Sequence, residues 1–169
     1  MLEKLAALLP SELIVTIWKW LPKSVKLRRF LAWRANTRFV AGVVGLIYAE
    51  NGDLLIVKHT YKATPWGLPS GALRREQPFE GLKREIREET GFEIRPEKIL
   101  DVVYSGKPSE LLIIIRAKLL GGLFVPSPEV SEFDFIRPGE SLERLPKAQR
   151  SIVYKYGLHN KIYKKGFEE

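Results

Sequence analysis

The 169-residue chain has no cysteine. Neither a disulfide framework nor a thiolate-ligated zinc centre is therefore possible. Histidine is nearly as scarce. His59 and His159 are far apart and share no metal-binding spacing, so ordinary strand and tail roles are expected for them, and a bound metal would take oxygen ligands. Long apolar runs are missing too. No uninterrupted stretch reaches the ~18 residues of a spanning helix, and Glu3 and Glu12 interrupt what would be the basic start of a secretory leader. A cytoplasmic protein without a transmembrane segment is expected. Internal repeats and low-complexity tracts are also absent, and the length suits one domain with an appendage and a real core.

Positive charge is present in excess, but only at the ends. The net charge is +8. Residues 1–36 carry seven Lys/Arg against two Glu, and residues 146–169 carry six against two, which leaves the middle close to neutral. A basic nucleic-acid groove within the central body is disfavoured, and terminal arms remain the route by which phosphates or anionic surfaces could be touched.

Three regions follow from the patterning. Residues 1–36 read as a basic amphipathic helical extension, with apolar stripes that include Trp18, Trp20, Phe30 and Trp33 and stops at Pro10 and Pro22. This extension is expected to pack on the main domain or across a homodimer, with peripheral membrane contact as the alternative. Residues 37–158 form the main domain. Val40–Tyr48 is a continuous apolar run, Asn51-Gly52-Asp53 signals a hairpin, and Leu54–Val57 returns. Further strands are expected at Ile99–Tyr104, Leu111–Leu120 and Phe133–Ile136, with a closing helix over Leu145–Tyr156. Residues 159–169 read as a loose basic tail. The fold class is α/β with a mixed sheet.

The densest chemistry lies in Arg84-Glu85-Ile86-Arg87-Glu88-Glu89-Thr90-Gly91-Phe92. At about 100° per residue, Glu85, Glu88 and Glu89 share one helix face. Like charges so placed destabilise a bare helix, by ~0.2–0.5 kcal/mol per pair. A hard divalent cation held by carboxylate oxygens would offset that cost. A solvated acidic face, neutralised by Arg84 and Arg87, is the plainer alternative. Upstream, Trp66-Gly67-Leu68-Pro69-Ser70-Gly71 is a rigid Gly/Pro-punctuated loop leading to Glu76. Gln77 and Pro78 then open the helix. Phe79, Leu82 and Ile86 form its core stripe, and Gly91 is a natural stop.

These residues resemble the signature of the Nudix hydrolases: Gly, five spacers, Glu, seven spacers, Arg-Glu, an aliphatic, one spacer, Glu-Glu, one spacer, Gly and an apolar residue. Glu76, Arg84, Glu85, Ile86, Glu88, Glu89, Gly91 and Phe92 fall on matching places. Two departures lie in the loop. Gly71 is followed by four spacers before Glu76, one fewer than the signature, and Ser70 stands where the family commonly has another Gly.

The resemblance implies a Nudix-type α/β/α sandwich. It also implies hydrolysis of a pyrophosphate bond in a nucleoside diphosphate linked to another group: a nucleotide sugar, a nucleoside triphosphate or a dinucleoside polyphosphate. Glu85, Glu88 and Glu89 would hold Mg²⁺ or Mn²⁺, and Arg84 would brace a carboxylate. Candidates for the base are Glu76 and, before the last strand, Glu129 or Glu132. Gly71 would allow close approach to the substrate; Lys58, Lys62, Arg74 and Arg75 could meet its phosphates, and Trp66 could stack on a base. The alternatives are removal of pyrophosphate from RNA 5′ ends and a non-catalytic nucleotide-binding domain.

Overall fold

The computed structural model describes residues 39–105 and 109–158, with isolated earlier positions at Pro10, Glu12, Leu13, Thr16, Ser24 and Lys26. The chain divides into two compact units, Met1–Phe39 and Val40–Glu169. In the first, the Leu13 N–H donates to the Pro10 carbonyl and the Thr16 hydroxyl to the Glu12 carbonyl, contacts of a helical turn. Beyond these positions, the extension expected over 1–36, its aromatic stripe and the tail from 159 lie outside the described residues.

In the second unit, β1 (Val40–Tyr48), β2 (Leu54–His59), β3 (Trp66–Gly67), β4 (Ser70–Ala72), α1 (Pro78–Thr90), β5 (Phe92–Tyr104), β6 (Glu110–Gly122), β7 (Val130–Ile136) and α2 (Lys147–Tyr156) follow in chain order. The strands form one mixed sheet with β1 at its centre. β1 runs parallel to β6, from Val40 opposite Glu110 to Tyr48 opposite Lys118. Its other edge is shared by β2, at the Asn51–Asp53 hairpin, and by β4, antiparallel at Gly42–Val44. β7 and β3 flank β2, and β5 lies outside β6.

Among the described residues of this unit, each face of the sheet carries one helix. Val43, Ile47, Leu55, Ile115 and Ala117 pack with Leu82 and Ile86 of α1. Val44, Leu46, Tyr48, Leu54, Ile56, Ile114 and Ile136 pack with Val153 of α2. Because successive strand residues alternate between these layers, a strand covered on both faces must be apolar throughout. That is why β1 and β2 read as runs rather than alternations. Full burial of each Leu or Ile stabilises by roughly 1.5–3 kcal/mol. The result is the expected α/β sandwich, with local differences, among them a last strand that begins at Val130 rather than Phe133 and so takes in Glu132. β5 begins at Phe92, directly after the α1 stop, rather than at Ile99. β3 and β4 are too short to show a period in sequence. α2 starts at Lys147, after Pro146. Among the described residues no helix is long and apolar enough to cross a membrane.

Candidate active site

The stretch from β4 through α1 builds the site. Gln77 occupies the N-cap with extended backbone, and Pro78 follows in the first turn, where no N–H is needed. The helix ends at Gly91, whose φ of 73° is left-handed and whose N–H donates to the Arg87 carbonyl. Buried Leu82 and Ile86 fix its rotation against the sheet. Glu85, Glu88 and Glu89 therefore project from an adjoining arc.

Arg84 organises two of these carboxylates together with Glu76. Its Nη1 lies 2.8 Å from Glu85 Oε1 and 3.0 Å from Glu88 Oε2. Its Nη2 donates to Glu76 Oε1 at 2.6 Å and to the Ala72 carbonyl at 3.1 Å, and Nε donates to Glu76 at 3.2 Å. These bonds, the Glu76 bond foremost, raise the guanidinium's pKa, and the same contact holds Glu76 below the usual carboxylate range. An acid held ionised this way is a weak base. Despite the short spacing after Gly71, Glu76 thus reaches Arg84.

Gly71 sits on β4 opposite Val43. A Cβ there would stand 2.3 Å from both Cγ and Cδ of Glu85. Only glycine leaves Glu85 its position. Ser70, one residue earlier, pairs with Val44 and is accommodated with its side chain.

Glu89 is different from its neighbours. It is 6% exposed, and its Oε2 has no hydrogen-bond partner. Burial pushes its pKa up to about 7, helped by the charges of Glu85 and Glu129 and opposed by Lys62. Lys62 is half-buried, its ammonium lowered mainly by desolvation and supported by Glu89 and Glu129. Tyr61 is likewise raised, first by desolvation and then by Glu129 and Glu89. Two segments bring these groups together. The Thr60 hydroxyl donates to the Pro128 carbonyl at 2.7 Å and its N–H to the Glu129 carbonyl at 3.0 Å. The Ser127 hydroxyl accepts the N–H groups of Glu129 and Val130. The β2–β3 loop and the turn before β7 are thereby laced together beside α1.

Of the residues singled out by sequence, the structure gathers Gly71, Glu76, Arg84, Glu85 and Glu88 through direct contacts, and Glu89, Glu129 and Lys62 through their fields. Arg74 is exposed and reaches Glu88 at 3.3 Å. Glu132 is not among them. Phe133 and Phe135 of β7 belong to the α1 layer, so alternation turns Glu132 to the opposite face. There it pairs with Lys58 at 2.7 Å. Its expected place near the carboxylates is corrected to that face, and Lys58 goes with it. Trp66 also packs on the α2 layer, with the Arg144 guanidinium 4.3 Å from its ring centroid and Lys58 at 5.9 Å. That ring face is taken by a cation. Tyr61 was not marked by any motif; an aromatic beside a lysine carries no sequence signal.

Among the described residues, no three acidic or histidine side chains converge to enclose a cation as they stand. Arg84 holds Glu85 and Glu88 on itself. The donor set still fits a hard divalent ion, because every donor is a carboxylate oxygen and Glu89 Oε2 is buried without a partner.

A family model described as the NUDIX domain matches residues 38–156. A MutT-like protein of Streptomyces ambofaciens is 30% identical over 104 residues, covering 61% of this chain and 67% of that protein. The human 8-oxo-dGDP phosphatase NUDT18 is 30% identical over 111 residues, covering 64% of this chain but 32% of its own length. The crystal structure of a NUDIX hydrolase from Nitrosomonas europaea superposes with a TM-score of 0.63 at 22% identity, over 72% of each chain. With the domain match spanning the sheet and both helices, and the signature carboxylates on α1, this chain belongs to the Nudix hydrolase family.

Proposed function

We propose that this protein hydrolyses a pyrophosphate bond in a small nucleotide, a nucleoside diphosphate linked to another group, with Mg²⁺ or Mn²⁺. The observation that carries the reading is Glu89: a buried carboxylate, unpartnered at Oε2, among Glu85, Glu88 and Glu129. Such an excess of negative charge in a desolvated place is costly unless a cation joins it. Glu85, Glu88 and Glu89 would hold the ion. When bound, it neutralises phosphate oxygens and lowers the pKa of water.

The chain's own groups supply the rest. Gly71 leaves room for Glu85 beside the β4 backbone. Arg84 orients Glu85 and Glu88 rather than meeting substrate, since its donors are already engaged. Lys62 and Arg74 offer positive charge to the phosphates. Glu129 is the better base than Glu76, which Arg84 keeps ionised, or Glu132, which faces the other side of the sheet. It would accept a proton from the attacking water as an oxygen–phosphorus bond forms and the bridging P–O bond breaks. The two fragments leave as phosphate-terminated products, and the proton is released to solvent.

The test is a panel of a nucleotide sugar, a nucleoside triphosphate, a dinucleoside polyphosphate and an oxidised purine nucleoside diphosphate, each with Mg²⁺ or Mn²⁺. Metal-dependent release of two phosphate-bearing products from at least one is expected. Nucleotide binding without turnover across the panel would favour a non-catalytic domain and overturn the proposal.

A further inference from the structure

Arg116 is the one charged residue in the run Leu111–Ala117, on a strand flanked by β1 and β5. Its Nε is buried without an acceptor, and its Nη2 makes a long 3.4 Å bond to the Tyr156 carbonyl. A charge in such a place needs a partner. Two residues on, and so on the same face of the sheet, pairing sets Tyr48, Lys118 and Arg95 side by side across β1, β6 and β5. Lys118 and Arg95 are directly opposite like charges, an arrangement that destabilises a sheet. Lys118 reaches Glu97 only at 3.8 Å, and Arg95 forms no ion pair among the described residues. The Tyr48 phenol accepts the Leu158 N–H at 3.0 Å, so its own proton is available to donate.

All four residues line a cavity of about 450 Å³, within the ~300–1,000 Å³ of small-ligand sites. Glu50 and Glu97 line it too, which leaves cations in excess, three to two. The donors outnumber what the protein itself satisfies. The cavity is also remote from the candidate active site. Tyr48 ends β1, whereas Gly71 opposes Val43 five residues earlier, roughly 16 Å along the strand. Tyr48 belongs to the α2 layer, and the carboxylates stand beside α1.

We propose that this cavity is a second anion site that takes a phosphate group, either inorganic phosphate or the phosphate of a small monoester such as a nucleoside monophosphate. Arg116 and Arg95 would grip it, with Lys118 and the Tyr48 hydroxyl completing the donors. The proposal does not depend on the hydrolytic reading.

The experiment titrates the full chain, with metal chelated, with inorganic phosphate and separately with a nucleoside monophosphate, following backbone amide resonances and the melting temperature. Shifts at Tyr48 and Lys118 are expected with at least one of the two, and the better binder identifies the source. Arg95→Gln and Arg116→Gln should each weaken binding at least tenfold, while Glu88→Gln leaves it intact. Arg95→Gln should also raise the melting temperature without ligand, because a like-charge pair is removed; a purely structural arginine would not combine that gain with lost binding. If neither anion binds, if shifts appear only along α1, or if both arginine variants bind as well as the parent, the second site is overturned.

Discussion

Glu88 and Glu89 are neighbours with opposite environments, and substitution should separate what each contributes. Glu88 is 47% exposed and shared between Arg84 and Arg74, so Glu88→Gln should leave folding nearly unchanged. Glu89 is buried, and Glu89→Gln replaces a strained carboxylate by a neutral isostere. Both variants should lose on the order of 100-fold or more in kcat at subsaturating Mg²⁺, because metal assistance supplies several kcal/mol; near-parental rates in both would remove the metal assignment. The base is tested one residue at a time. Glu129→Gln should cost on the order of 100-fold in rate, within the usual range for general catalysis, whereas Glu132→Gln on the opposite face should cost little. If steady-state kinetics show a large loss at Glu132 or Glu76 and none at Glu129, the assignment made from the loop contacts is wrong.

Between β4 and α1, one glycine sets the position of a carboxylate. Gly71 has no left-handed backbone, so its constraint is purely steric: a Cβ would meet Glu85 at 2.3 Å. Gly71→Ala should therefore cost ~1–3 kcal/mol of stability, as overpacking does, and displace Glu85, raising the Mg²⁺ concentration needed for half-maximal rate. Ser70→Gly should alter neither. Metal titrations of the two variants compare them directly, and equal Mg²⁺ requirements would mean that Glu85 is not a ligand. The same elements show what sequence could convey. The α1 face and its stop at Gly91 were legible because helical period and a left-handed cap are local properties. β1 was legible because a strand buried on both faces is apolar without a break. The side to which Glu132 points was not, since it depends on the pairing of β7 with β2, a contact between residues more than seventy positions apart. Nor was the lacing of Thr60 to Pro128 and Glu129, which brings Lys62 toward Glu89; hydroxyl-to-carbonyl contacts across a fold leave no pattern in the chain.

Over the whole molecule, the charge distribution and two buried titratable groups make separate predictions. The positive excess lies in the terminal segments of the sequence, and the middle that holds the carboxylates is near neutral. Turnover of a small nucleotide should therefore change less than about tenfold between roughly 50 and 200 mM salt, whereas gripping an RNA backbone through six to ten phosphates would lose ~10³–10⁵ in affinity over that range. Rates on both substrates across a salt series distinguish these cases. Above about pH 4.5, where the depressed carboxylates Glu76, Asp101 and Asp134 are ionised in both states, the pH dependence of folding turns on Glu89 and His59. Glu89 has a pKa of about 7 in the folded chain, against ~4.3 for a free glutamate. Its protonated form favours the fold, so this contribution is complete below about pH 4.5 and is lost as pH rises to 7. His59 is 2% exposed, with neither ring nitrogen hydrogen-bonded, and burial, reinforced by Lys62, lowers its pKa to about 4. Its neutral form favours the fold, so this contribution is complete above about pH 6.5 and is lost as pH falls to 4. Between pH 4.5 and 6.5 the two slopes oppose each other, each near ~1.4 kcal/mol per pH unit, and the metal-free parent should show a nearly flat stability. Glu89→Gln leaves the histidine slope alone. Its stability should rise by on the order of 3 kcal/mol from about pH 4.5 to 6.5. His59→Leu leaves the carboxylate slope, and its stability should fall by a similar amount from pH 4.5 to 7. Urea unfolding of the three proteins with metal chelated, at half-unit pH steps, measures these slopes; parallel curves for all three would show that neither group is buried in the ionisation state assigned to it.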